Sequence, residues 1–136
     1  MDIIQYNING FYNNYHDIEL LRSSFNPLIF AIQETHCGER ENLKCKGYNI
    51  ISKNIHEAAS QGVALLIKEG ITFEEIRVDN AILCVAARIC LRNPITVCSI
   101  YIHPRSVISP RDLSELVNLI PFQCPPPSLE PGGPHQ

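Results

Sequence analysis

Apolar residues come in short runs along this chain, each closed by amides, carboxylates, glycine or proline. Ile3-Ile4-Gln5-Tyr6 runs into Asn7-Ile8-Asn9-Gly10, and Pro27-Leu28-Ile29-Phe30-Ala31-Ile32 runs into Gln33-Glu34-Thr35-His36. Short apolar runs bounded by turn residues predict strands. The first spans Ile3 to Asn7 and the second ends at Gln33. Tyr48 to Ser52, Val63 to Lys68, a short piece near Thr72 to Arg77, Ile82 to Leu91 and Ile95 to Ile102 follow. Val63 to Lys68 is nearly all apolar, as in a strand covered on both faces. In the last strand Ile95, Val97, Ser99 and Tyr101 share one face, and Thr96, Cys98, Ile100 and Ile102 share the other. Both faces read as largely covered, and Arg92-Asn93-Pro94 joins the last two strands at hairpin length.

Two helices interrupt the strands. Asn13-Asn14 starts the first, Ile18, Leu21 and Phe25 line its apolar face, and Asn26-Pro27 stops it. The second begins with Ser109 as N-cap, Pro110 at the first helical position and Asp112 in the first turn. Leu113, Leu116, Val117 and Ile120 then fall at i, i+3, i+4 and i+7, predicting one buried face.

Composition narrows what such a chain does. Its 136 residues make one ordinary domain, able to bury a core of its own. A net charge of −3 with 11 Lys and Arg argues against strong free-standing nucleic-acid binding, which depends on neutralising phosphates. Lys44, Lys46, Lys53 and Lys68 are scattered and read as solvated. Six cysteines without a signal peptide point to a reduced, intracellular chain, nuclear or cytoplasmic. Cys84, Cys90 and Cys98 read as small buried hydrophobes in strands. Cys37 and Cys45 lack zinc-site spacing, and His16, His36, His56, His103 and His135 do not complete one. No apolar stretch has the ~20 residues of a membrane span.

The two polar clusters at strand ends are where chemistry is expected. A carboxylate closing a buried strand is costly unless it is neutralised, so Glu34 needs a partner. A magnesium ion suits it, because that ion takes oxygen ligands, keeps several waters and uses only one or two protein carboxylates. Asn7 and Asn9 offer an amide oxygen to an ion and an NH2 donor to a phosphate. Taken alone, the same residues read more readily as a solvated loop and an ordinary turn.

Order and wording shift that balance. Tyr6-Asn7-Ile8-Asn9-Gly10, Ile32-Gln33-Glu34-Thr35-His36, Gln61-Gly62-Val63-Ala64-Leu65-Leu66-Ile67 and Ser99-Ile100-Tyr101-Ile102-His103-Pro104 follow one another as they do in the endonuclease/exonuclease/phosphatase superfamily. The wording most resembles the apurinic-endonuclease-like nuclease that begins the polyprotein of non-LTR retrotransposons of the jockey and I-element type. The resemblance covers roughly residues 3 to 120. It implies an α/β fold, part of a four-layer α/β sandwich with two packed, mostly antiparallel sheets flanked by helices. It also implies a DNA substrate and a single Mg2+ or Mn2+ ion. By position, Glu34 matches the metal-binding glutamate, Asn7 the asparagine that orders the metal site, and Tyr101 the tyrosine that approaches the scissile phosphate. Asn9 stands where relatives often carry an aspartate, which leaves it a secondary, substrate-side candidate. Apart from the resemblance, His36 is the histidine beside the proposed site, where it reads equally as a phosphate hydrogen-bond donor or as a loop histidine without a role.

The rest of the resembled family's chemistry has no counterpart. Its Gly-Asp-x-Asn segment, its Ser-x-x-Asp segment and its terminal Asp-His pair do not occur, and the aspartates here are Asp2, Asp17, Asp79 and Asp112 only. Loss of a catalytic base alone removes about 10²- to 10⁴-fold in rate. The expectation is a truncated copy, inactive on its own: a domain portion at residues 1–120, then a Pro-rich disordered tail at 121–136. Five of the ten prolines fall between Pro125 and Pro134, a change that a frameshift or alternative exon would produce. Two other functions compete. One is a non-enzymatic module that binds a protein partner, such as a complementing C-terminal half, through an exposed sheet face or the Pro-rich tail. The other is a phosphatase of the same superfamily, which the wording around Glu34 disfavours.

Overall fold

The computed structural model describes residues 2–37, 43–54, 61–104 and 107–120. The tail at 121–136, with its predicted disorder, lies outside the described residues, as do Gly38, His56 and His135. In chain order the elements are β1 (Ile3–Asn7), α1 (Tyr15–Phe25), β2 (Ile29–Gln33), β3 (Tyr48–Lys53), β4 (Val63–Lys68), β5 (Phe73–Ile76), β6 (Leu83–Ile89), β7 (Ile95–Tyr101) and α2 (Pro110–Leu119). Among the described residues, the seven strands and two helices lie where the sequence predicts them, with ends shifted by a residue or two.

The strands form two sheets, one of four strands in the order β1-β2-β4-β3 and one of three in the order β5-β6-β7. Only β1 and β2 run parallel, joined by the crossover through α1; every other pairing is antiparallel. Alternation along the strands sorts the apolar side chains into three cores. Ile29, Ala31, Leu65, Ile67, Val85, Ala87 and Ile89 fill the space between the sheets, together with Val97 and Tyr101 of β7. On the far side of the first sheet, Phe30, Ile32, Ala64 and Leu66 pack against Ile18 and Leu21 of α1. On the far side of the second, Ile82, Cys84 and Ala86 pack against Leu116 and Ile120 of α2. The order of layers is therefore helix, sheet, sheet, helix, as expected.

Both helix ends follow local chemistry. Asn26 ends α1 in the left-handed conformation at φ 45°, its N–H donating to the Arg22 carbonyl, before Pro27. At α2, Ser109 and Asp112 form a reciprocal capping box and Pro110 occupies the first turn.

Several burial expectations fail. Phe25 is 58 % exposed at the last turn of α1, beside Ile3 and Ile4. Leu113 and Val117 are 45 % and 56 % exposed, so α2 touches its sheet along the narrower line of Leu116 and Ile120. Cys90 is exposed just beyond β6, and Cys98 is only half-buried. At the end of β7, Ile100, and Ile102 just past it, are 39 % and 45 % exposed, while Cys98 on the same face packs partly against the cluster under α2.

Candidate active site

Four strand ends meet at one rim. Because β1 and β2 are parallel, with Asn7 beside Gln33, their C-terminal ends emerge together. The antiparallel β4 begins there, with Val63 opposite Gln33, and β7 arrives from the second sheet with Tyr101 as its last residue. The backbone beyond the strands stays tightly tied. Ile8, Gly10 and Phe11 donate their N–H groups to the carbonyls of Gln33, Glu34 and Thr35 at 3.0, 2.9 and 2.8 Å, and Glu34 donates to the Gly62 carbonyl at 2.8 Å.

This lacing holds the backbone in uncommon conformations. Asn9, Glu34 and His36 all have positive φ, at 50°, 55° and 55°. Each costs energy for a residue with a Cβ, and such residues cluster where a fold over-determines them, often at functional sites. Gly62 makes the arrangement possible. At φ +118° it tolerates a conformation that suits glycine, and a Cβ placed there would lie 2.1 Å from Thr35 Oγ1. Thr35 is fully buried beneath the rim, between the two left-handed residues.

The left-handed turn at Glu34 sends its carboxylate across the rim into a small polar cluster. Asn7 Nδ2 donates to Glu34 Oε2 at 2.9 Å. His36 Nε2 stands 3.5 Å from Oε1, a contact that carries charge attraction only when the imidazole is protonated. The Tyr101 hydroxyl lies within hydrogen-bonding reach of the same carboxylate. Burial, followed by the charge and the hydrogen bond of Glu34, holds the Tyr101 phenol above its ordinary pKa, so it remains a proton donor through the neutral range. Asn9 is placed differently. Its backbone shapes the turn, and its carbonyl accepts from Asn14 Nδ2 at 3.0 Å.

Asn7, Glu34, His36 and Tyr101 thus come together, and Asn9 belongs to the turn that presents Asn7. Sequence reading passed over Gly62 as a structural key, although its glycine stood in the quoted run. It also passed over Gln33 and Ser99. Gln33 is 8 % and Ser99 1 % exposed, and they join the sheets directly behind the cluster: Gln33 Nε2 donates to Ser99 Oγ at 3.0 Å, and Ser99 Oγ donates to the Ile32 carbonyl at 2.8 Å. Ser99 among Ile95, Val97 and Tyr101 on one strand face was the available signal.

The donor set fits a hard, largely hydrated divalent cation. With Nδ2 committed to Glu34, the Asn7 amide oxygen is left to face an ion beside a carboxylate that keeps unused lone pairs. It does not fit a fully protein-ligated site, since no group of three His, Cys, Asp or Glu gathers among the described residues. None of the four aspartates joins the cluster: Asp17 accepts from Tyr6, Asp112 caps α2, Asp79 lines a separate cleft, and Asp2 stands at the opposite end of β1.

Two solved structures share this fold. The chain superposes on the endonuclease domain of TRAS1, a telomere-specific non-LTR retrotransposon, with TM-score 0.64 and 16 % identity over 85 % of this chain and 51 % of that one. It superposes on the Xenopus laevis APE2 catalytic domain with TM-score 0.57 and 17 % identity over 88 % of this chain and 50 % of that one. The chain therefore spans about half the length of each. No protein-family model and no curated protein matches the sequence. The architecture expected from the motifs is thus borne out as a fold.

Proposed function

We propose that the rim around Glu34 is the metal- and phosphate-handling half of a DNA endonuclease site, and that these 136 residues alone do not cleave DNA. The observation that carries this reading is the convergence of Asn7, His36 and Tyr101 on one carboxylate, held by strained backbone. The fold shared with the TRAS1 endonuclease domain and the APE2 catalytic domain supports it.

In this reading Glu34 and the Asn7 amide oxygen hold a Mg2+ or Mn2+ ion, which when bound polarises a phosphoryl oxygen and offsets developing negative charge. Asn7 fixes the carboxylate's orientation through its amide N–H. Tyr101, kept protonated by its surroundings, donates to a non-bridging phosphate oxygen. His36, when protonated, adds a positive donor on the other side of the carboxylate. No side chain of the cluster is placed as a general base for water, and no aspartate supports one. Chemistry therefore requires residues from outside this stretch.

The test is a supercoiled-plasmid nicking assay in Mg2+ and in Mn2+, run beside calorimetric titration of each ion into wild type and Glu34→Gln. The expected result is ion binding that Glu34→Gln abolishes, with no nicking. Nicking that depends on Glu34 contradicts the silent half, and absence of ion binding contradicts the site.

A second reading, a protein-binding module, draws on one observation. Among the described residues the second sheet faces β2, β4 and β3, leaving the inward face of β1 without a strand opposite it and Ile3 42 % exposed. A complementing segment that covered Ile3 and extended the free edge of β7 would serve both readings.

A further inference from the structure

Among the described residues, a chain of side-chain hydrogen bonds crosses the apolar layer between the sheets. Gln5 Nε2 on β1 donates to Gln33 Oε1 on β2, Gln33 Nε2 donates to Ser99 Oγ on β7, and the Ser99 hydroxyl donates to the Ile32 carbonyl back on β2. Every link has a direction, and the inner two residues are buried. Around them stand Ile29, Ala31, Leu65, Val85 and Val97, which give adhesion but little directional preference. Apolar faces tolerate a small slide, whereas a buried hydrogen bond weakens steeply with misalignment and leaves a costly unpaired group when it breaks.

The position of this chain is what matters. Ser99 and Tyr101 are two residues apart on the same face of β7, and Gln33 immediately precedes Glu34. The latch therefore lies one pleat behind the Glu34–Tyr101 contact and spans the same gap between the sheets. We propose that Gln33 and Ser99 are positioning residues that fix the register of β7 over β2 and so set Tyr101 against Glu34. This rests on the reading of the Glu34 rim as a site. Gln33 and Ser99 touch neither an ion nor a phosphate in that reading; they act through the residues next to them.

Ring resonances of Tyr101 in the full chain at neutral pH test this, read as the change that Glu34→Gln produces in them. In wild type the change is expected to be clear. In Ser99→Ala and Gln33→Leu backgrounds it is expected to vanish, and Ser99→Thr, which keeps the hydroxyl, is expected to restore it. Val97→Ala, an apolar truncation in the same layer, is expected to lower stability and leave the change intact, which separates positioning from plain destabilisation. Gln5→Leu, at the exposed end of the chain of bonds, is the milder variant should the buried ones not fold, and is expected to shrink the change. A full-sized change in Ser99→Ala, Gln33→Leu or Gln5→Leu overturns the latch while leaving the site standing. No change in wild type overturns the Glu34–Tyr101 contact itself and the latch with it.

Discussion

Two polar regions of the molecule invite the label of a site, and they differ instructively. One is the rim around Glu34. The other is a cleft of about 240 Å3 lined by Ser52, Lys53, Glu75, Arg77, Asp79 and Cys84, between the end of β3 and the β5–β6 connection. The cleft has more charges. Its charged side chains are largely exposed, however, and its clearest internal contact is an ordinary one, Lys53 Nζ donating to the Val78 carbonyl at 3.1 Å. The rim has fewer charges, but its side chains converge on one carboxylate and its backbone holds three non-glycine residues at positive φ. Solvated surface charges contribute little and cost little, whereas strained backbone and a partly desolvated carboxylate persist only where the surrounding fold enforces them. Convergence and strain, not the number of charges, set the rim apart from the cleft.

The strongest way to break this comparison is at Gly62. An alanine Cβ would lie 2.1 Å from Thr35 Oγ1 in a conformation that favours glycine, so Gly62→Ala is expected to destabilise by about 2–4 kcal/mol and to abolish ion binding. Gly70→Ala is the control. It also has positive φ but meets nothing within 4 Å, and a loss of about 1 kcal/mol with ion binding intact is expected in urea denaturation. Equal losses would mean that the rim is no more constrained than a surface turn.

Ser99→Ala comes next. It leaves the Gln33 amide and the Ile32 carbonyl without their partner in an enclosed layer, and a cost of about 1–3 kcal/mol is expected from the same denaturation measurement. A neutral result would mean that water or a local shift replaces the hydroxyl.

Alkaline titration sharpens the contrast further, because the rim has a phenol and the cleft has none. Tyr101 titrates above the usual 10.0 through burial first, then the charge and hydrogen bond of Glu34. Its folded value exceeds its unfolded one, so its stabilising contribution is complete below about pH 10 and is lost as pH rises through the folded value. Tyr15, pushed up to about 12 chiefly by burial, acts in the same direction. Folding stability should therefore decline above pH 10. In a residue-resolved titration Glu34→Gln should lower the Tyr101 midpoint, and Asp79→Asn in the cleft should not. The smallest effect expected is that of Glu34→Gln on stability itself, under about 1 kcal/mol, since the carboxylate is partly solvated and its amide replacement keeps one acceptor oxygen.

Much of this was legible in the sequence, and the illegible part has physical causes. Strand and helix positions followed from local signals: continuous apolar runs, the Ser109-Pro110-Arg111-Asp112 helix start and the Asn26-Pro27 stop. The ordered motifs located Asn7, Glu34 and Tyr101 at strand ends, and topology brought those ends to one rim. Periodicity reveals which residues share a face but not how far the opposing layer reaches. Phe25, Leu113 and Val117 therefore looked buried and are exposed. The link from Gln33 to Ser99 joins residues 66 positions apart, and no local pattern records it. Nor did the sequence announce that Glu34 and His36 are left-handed, because the cause is a set of backbone hydrogen bonds from two other segments, around Gly10 and Gly62.

The most direct test of the account is where a divalent ion binds. Mn2+ added at low occupancy to isotopically labelled protein broadens nearby amide and side-chain resonances. The prediction is broadening centred on Asn7, Glu34, His36 and Tyr101 that Glu34→Gln removes. Broadening centred on Glu75 and Asp79 in the cleft, unaffected by Glu34→Gln, would contradict it.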